Sequence, residues 1–183
     1  MQIDKAIIEK CKQNDRKAQE QLYKQLYAYI MGICYRYFIN NEDAKDIFNM
    51  VMLKILTNIQ KYDDKYAFST WVSNISVNTI ISEFRKRKKH QHISYVEEYF
   101  DSNDYYELNE YVRDADVDEI LKCMEGLTDT ERFVFNLFTI EGYSHKEIGN
   151  MLNISEDTSR WYFNKAKSKL KDMLQKKQIL ITN

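Results

Sequence analysis

YAFSTWVSNISVNTIISEFRKRKK, residues 66–89, carries a helical period with two unlike faces. At about 100° per residue, Trp71, Asn74, Asn78, Ser82 and Arg85 share one face. Val72, Ser76, Ile80 and Phe84 fall opposite, with Val77 beside them. One side is small and apolar, fit for packing, while the other holds an indole, two amides, a hydroxyl and a guanidinium. The helix then runs into Arg85, Lys86, Arg87, Lys88 and Lys89. Amides read base edges, an indole stacks on an unpaired base, and clustered cations hold phosphates. A solvated amphipathic helix with a basic end accounts for the same residues, so the rest of the chain must decide.

The 183 residues include no proline and four glycines. Nothing breaks long periodic segments and few hairpin turns are available, so an all-α fold is expected. Apolar residues, at 44%, suffice for a core. Uncharged runs are short and broken by polar residues, and the start, MQIDKAIIEKCK, lacks a signal peptide's apolar stretch. The expectation is a cytoplasmic protein with no membrane insertion. Cys11, Cys34 and Cys123 form no C-x-x-C pair and fit a reducing compartment as small core or surface residues. His90, His92 and His145 lack carboxylate or cysteine partners at ligand spacing, so no metal, cofactor or catalytic activity is expected.

The net charge of −1 conceals a segregation. Residues 1–90 carry 16 Lys/Arg against 10 Asp/Glu, residues 91–126 carry 2 against 11, and residues 127–183 carry 9 against 7. Two basic blocks flank an acidic one, the distribution expected of a nucleic-acid-binding chain.

Upstream of the opening stretch, residues 4–12 read as a short helix. Asp15 can cap a longer one, with Leu22, Leu26, Ile30, Ile33 and Tyr37 at helical spacing and Tyr23, Tyr27 and Cys34 beside them. Asn40–Asn41 breaks the pattern. A third helix, to about Gln60, has Ala44, Ile47, Phe48, Val51, Met52, Ile55 and Ile59 as its apolar stripe. Its outer face holds Asp46, Asn49, Met50 and Leu53, and the two apolar members suggest a partner surface. Lys61 to Ser69 is the loop into the next helix. Residues 91–116 are acidic, rich in tyrosine and aperiodic, which makes them a linker.

Val117, Ile120, Leu121 and Met124 open a second domain, residues 117–178. Thr128-Asp-Thr-Glu131 and Ser144-His-Lys-Glu147 are capping boxes, each starting a helix. Gly142 suits the end of the first. The second buries Ile148 and Leu152; Gly149 permits close approach of a neighbour, and Asn153 can take the left-handed conformation of a tight turn. Ser155 caps a long helix with Ser159, Phe163, Ala166 and Leu170 inward and Arg160, Asn164, Lys167 and Lys171 outward. A short helix, a tight turn and a longer basic helix form the helix-turn-helix arrangement. Thr158, Arg160 and Trp161, near the second helix's start, are the candidates for base edges; Lys165, Lys167 and Lys171 suit phosphates.

Both halves resemble the sigma-70 family, specifically its small two-domain extracytoplasmic-function group. The carriers are NEDAKDIFNMVMLKILTNIQKYDDKYAFSTWVSNISVNTIISEFRKRKK in the first half and LTDTERFVFNLFTIEGYSHKEIGNMLNISEDTSRWYFNKAKSKL in the second. The resemblance implies two helical domains, residues 1–90 and 117–178, joined by the 91–116 linker. It implies a promoter-specificity subunit that binds core RNA polymerase and helps open DNA. Asp46, Asn49, Met50 and Leu53 match the helix that docks on the clamp helices of the polymerase's largest subunit, although Asn49–Met50 stands where Gln-Glu is usual. Lys65, Trp71, Asn74, Asn78, Arg85 and Lys86 match the face that meets the −10 element. Ser155, Thr158, Arg160, Trp161, Asn164, Lys165 and Lys167 match the −35-binding helix, in a domain that meets the polymerase flap region. An anti-sigma factor is a common partner in the group. A LuxR-type regulator shares the second domain's pattern, but it requires a sensor or receiver first half with parallel strands, against the helical period of residues 1–90.

Overall fold

The computed structural model describes residues 3–90 and 122–181, and every element among them is helical. The linker expected at 91–116, and Val117, Ile120 and Leu121, lie outside the described residues. The chain divides into two compact units, Met1–Arg87 and Lys88–Asn183.

The first unit opens with α1, Lys5–Lys12, whose N-cap Asp4 accepts from the Ala6 N–H. Lys10 and Lys12 sit in its last turn, where the dipole favours cations. Asn14 takes φ 61°, and the chain turns at once into α2, Arg16–Tyr37, capped by Asp15 through the Ala18 N–H at 2.8 Å. Left-handed backbone is affordable at asparagine because its short amide substitutes locally for lost contacts. Helix α3, Asn41–Asn58, is capped by Asn40, with Glu42 and Asp43 in its first turn, and ends in a single 3-10 turn, Ile59–Lys61. Helix α4 spans Phe68–His90.

The expected stripes are the core. Leu22, Leu26, Ile30, Ile33, Cys34 and Tyr37 of α2 are buried, as are Ala44, Ile47, Phe48, Val51, Met52 and Ile55 of α3. Helix α4 contributes Val72, Val77, Ile80, Ile81 and Phe84. Each large aliphatic chain removed from water stabilises the unit by about 1.5–3 kcal/mol. Ser76 and Thr79 lie in the same interior because their hydroxyls donate back to the carbonyls of Val72 (2.8 Å) and Ile75 (2.6 Å). Tyr23 and Tyr27 stay partly wet while their rings meet Phe48 edge-on at 5.1 and 5.0 Å. Cys11, Cys34 and Cys123 are all buried, and burial pushes the Cys34 thiol up to about 12.

In the second unit, both capping boxes form. Thr128 opens α5, Asp129–Thr139, and Ser144 opens α6, His145–Leu152. Helix α5 stops at Thr139, and left-handed Gly142 (φ 77°) follows in the turn rather than at the helix end itself. The trailing carbonyls of Asn136 and Leu137 accept from Glu141 and Tyr143. Asn153, at φ 58°, ends α6, and α7 runs Glu156–Ile181 from Ser155. A Cβ on Gly149 would stand 2.8 Å from the Ile154 carbonyl oxygen, so the close neighbour is the turn itself.

Glu131 and Arg132 are charged side chains inside this unit, which no apolar period predicts. Arg132, 3% exposed, donates to the carbonyls of Met124 (3.2 Å) and Leu127 (2.7 Å) and so closes the preceding turn. Glu131, 1% exposed, closes the Thr128 capping box and accepts from Lys169 of α7 at 2.7 Å. Burial alone would raise the Glu131 carboxyl. Hydrogen bonds from Lys169 and Thr128 outweigh it and hold the group below its ordinary value.

Candidate nucleic-acid and polymerase interfaces

On α4, the apolar stripe turns inward and leaves Asn74, Asn78, Ser82 and Arg85 exposed in a single row. The amides of Asn74 and Asn78 spend no hydrogen bonds on the described residues, whereas Ser82 donates to the Asn78 carbonyl at 2.7 Å. Trp71 is half-buried. Its ring stacks on Phe68 (centroids 5.5 Å, 28°) and tilts against Tyr62 at 5.5 Å, so one face is anchored in an aromatic box. Such a box presents an aromatic ring without leaving it loose, which suits stacking on a base.

The loop before α4 is more structured than its sequence suggests. The Asp63 carboxylate accepts from the Lys65 N–H at 3.0 Å, and the Tyr62 hydroxyl donates to the Tyr66 carbonyl at 2.7 Å. Tyr66 itself is 69% exposed. Lys65 projects outward, 3.8 Å from Asp63. Tyr62 and Tyr66 were not among the expected site residues. The aromatic spacing Tyr62, Tyr66, Phe68, Trp71 is the signal that could have found them.

The basic end of α4 is not uniform. Arg85 is exposed and Lys86 stands 3.6 Å from Glu83. Arg87 instead reaches Asp43 of α3 at 2.9 Å and lies over the Phe38 ring at 5.1 Å. The hydrogen bond to Asp43 raises its pKa further. Arg87 is therefore a strut between helices rather than a cation held open for phosphate.

Asp46, Asn49, Met50 and Leu53 form an exposed i, i+3, i+4, i+7 row on α3. Met50 is 41% and Leu53 65% exposed, both on the side away from the buried stripe.

On the helix-turn-helix, four of the seven expected residues reach the surface. Ser155, Arg160 and Lys165 are exposed and Asn164 is half-buried. Thr158, Trp161 and Lys167 are buried, contrary to the outward or base-reading placement expected of them. The Thr158 hydroxyl is drawn into the helix start, 2.7 Å from Ser155 Oγ. Trp161 is covered by the Lys165 ammonium, 4.4 Å from its ring, and by the edge of Tyr162. Lys167 lies along the helix with its ammonium 5.9 Å from the Phe163 ring. Arg160 is held by Glu156 at 2.6 Å.

His145, at the first position of α6, is another residue the spacing did not single out. It stacks on Phe138 (4.4 Å), meets the edge of Phe163, and shares a hydrogen bond of 3.0 Å with Ser159 of α7. Burial, with the Arg160 guanidinium adding to it, holds its pKa at about 4. It is thus a neutral clamp between α5, α6 and α7 near neutral pH. No helix among the described residues is long and apolar enough to cross a membrane.

Two family models match this chain: Sigma-70 region 2 over residues 22–90, and Sigma-70, region 4 over residues 118–170. The chain is 22% identical to the ECF RNA polymerase sigma-E factor of Haemophilus influenzae, covering 94% of this chain and 95% of that one. It is 26% identical to the ECF RNA polymerase sigma factor SigW of Bacillus subtilis, over 93% and 96% of the two chains. Among solved structures, the sigma factor RpoE in complex with the anti-sigma factor NepR from Bartonella quintana is similar at TM-score 0.48 and 14% identity, over 85% and 96% of the chains. The two matched regions, one in each helical unit, contain the faces just described, and the chain belongs to the sigma-70 family, in its extracytoplasmic-function group, as a promoter-specificity subunit of RNA polymerase.

Proposed function

We propose a division of labour for this sigma factor in which each exposed row has one partner. The outward row of α3, Asp46, Asn49, Met50 and Leu53, docks on the clamp helices of the polymerase's largest subunit. The open amides of Asn74 and Asn78, with Trp71, Lys65, Arg85 and Lys86, receive the opened non-template strand of the −10 element. Unstacking a base costs a few kcal/mol, and stacking on an anchored aromatic ring returns about 1–3 kcal/mol per base. The observation that carries this reading is the exposed Asn74–Asn78 row beside Trp71: amides that make no hydrogen bond to the described residues, next to a ring stacked on Phe68.

In the second unit, Arg160 reads the −35 element from the major groove, Asn164 flanks it, and Ser155 and Lys165 meet the backbone. Thr158, Trp161 and Lys167 act beneath them, holding the helix start and the positions of the exposed cations. This unit also meets the polymerase flap region. In this reading the chain selects promoters, leaves the chemistry to the core enzyme and works beside the polymerase in the bacterial cytoplasm. An anti-sigma factor is a partner in keeping with the group.

Reconstituted transcription tests the proposal. Purified chain added to core polymerase should give initiation at discrete start sites, and sequencing those sites should return paired −35 and −10 elements. A requirement for an already formed holoenzyme, as a LuxR-type regulator has, would overturn it.

A further inference from the structure

Helix α1 carries no residue of the three faces, yet it is tied three times to the turn and loop between α3 and α4. The side-chain amide of Gln60 donates to the Lys12 carbonyl. The Lys12 ammonium lies over the Tyr62 ring, 5.9 Å from its centroid, within the reach of a cation–π contact. Lys5 pairs with Asp64 at 3.2 Å. These ties fall on successive parts of one segment: Gln60 at its start, Tyr62 in the aromatic box, Asp64 at the exposed bend. Asp63, Asp64, Lys65, Tyr66 and Ala67 are all exposed, and the loop's own hydrogen bonds, Lys65 N–H to Asp63 and Tyr62 hydroxyl to the Tyr66 carbonyl, are short-range, so the ties to α1 are what join it to a distant element.

We propose that α1 braces the strand-capturing loop and that Lys12 is its positioning residue. This rests on the assignment of Lys61–Ser69, with Trp71, to the opened −10 strand. Ordering a free loop costs about 1–2 kcal/mol per residue, and a loop already held in its bound form avoids that cost on binding. The Lys12 ammonium, held by Glu9 at 2.9 Å, stands at the Tyr62 ring, which also meets Phe68 and Trp71 with centroids 4.9 and 5.5 Å away. Tyr62 in turn holds the Tyr66 carbonyl, so the brace extends to the exposed tip of the loop. Lys5 also offsets the Asp64 charge, which would otherwise repel a phosphate backbone.

The test uses the full chain in reconstituted holoenzyme at a promoter recovered by start-site sequencing. One probe is a fluorescent single-stranded oligonucleotide carrying that promoter's non-template −10 strand; the other is a duplex of its upstream half. Lys12→Ala should weaken single-strand binding roughly two- to fivefold. Lys12→Arg, which keeps a cation over the ring, should restore it. Lys5→Ala/Lys12→Ala/Gln60→Ala should weaken single-strand binding about tenfold or more, with core binding and upstream-duplex binding unchanged. Trp71→Ala and Tyr66→Ala serve as loop controls. If they weaken strand binding and the α1 variants do not, the brace is wrong and the loop assignment stands. If neither set changes strand binding, both go. Equal loss on the strand, the duplex and core would mark α1 as general scaffold and also overturn the proposal.

Discussion

Arg87 and Asp43 are joined at 2.9 Å across α4 and α3, inside what the sequence presents as an unbroken basic run. The same guanidinium covers Phe38, so its charge and its plane are both used within the fold. A run of like residues thus contains two classes, exposed cations such as Arg85 and Lys89 and one that holds helices together. Arg87→Ala should lower the stability of the first unit by about 1 kcal/mol, a partly exposed ion pair plus a cation–π contact. Lys89→Ala should leave stability within about 0.5 kcal/mol of wild type. Denaturant titration of the two variants checks the difference, and equal midpoints would remove the strut.

Leu53, 65% exposed, offers its side chain to solvent from α3. Leu53→Asp and Asp46→Arg should therefore leave the thermal midpoint close to wild type while core-polymerase co-purification is lost. An interface residue central to a patch commonly costs 2 kcal/mol or more on truncation, about a thirtyfold loss of affinity. Retained co-purification would place the docking surface elsewhere.

On the second unit, exposure separates residues that helical spacing had grouped. Arg160→Ala should cost about 1–3 kcal/mol of −35 discrimination if the guanidinium reads a guanine. Trp161→Phe should change sequence preference little, because the ring is covered. Selection from randomised −35 duplexes compares them; a profile altered by Trp161→Phe and untouched by Arg160→Ala would reverse the assignment.

His145 gives the second unit an acid limit. Its folded pKa of about 4 lies below the 6.5 of an unburied imidazole. The unfolded chain therefore takes up a proton before the folded one, and stability is full above about pH 6.5 and lost as pH falls toward 4. The loss can reach about 3 kcal/mol by pH 4, with the opposing charge of Glu156 already part of that folded value. Glu131, held below its ordinary value, adds a further loss at lower pH. His145→Phe keeps the stack on Phe138 and the edge contact with Phe163 and should flatten the profile between pH 6.5 and 4.5. Denaturant midpoints across that range check it.

Gly149 is constrained by its neighbour's backbone. Gly149→Ala places a methyl group 2.8 Å from the Ile154 oxygen, a contact that only movement of the turn relieves. A loss of about 1–3 kcal/mol is expected, with weaker −35 duplex binding as the α6–α7 angle changes. Gly32→Ala, with open space around the added atom, is the matched control and should not lower stability.

What could be read from the chain was local. Asp15, Thr128, Ser144 and Ser155 cap helices by hydrogen bonds spanning three residues, and the α2, α3 and α4 stripes follow one period, so residue order alone carries them. The open row on α4 and the row on α3 were legible for the same reason: each is the remainder of a stripe once the core face is removed. Lys5–Asp64, Arg87–Asp43 and Lys169–Glu131 join residues far apart in the chain, and no period marks them in advance. Thr158, Trp161 and Lys167 were misplaced because a helical angle gives direction along one element and knows nothing of what packs beside it. Burial of a charge such as Glu131 is settled when a second element supplies the partner, here Lys169, and that partner arrives through folding.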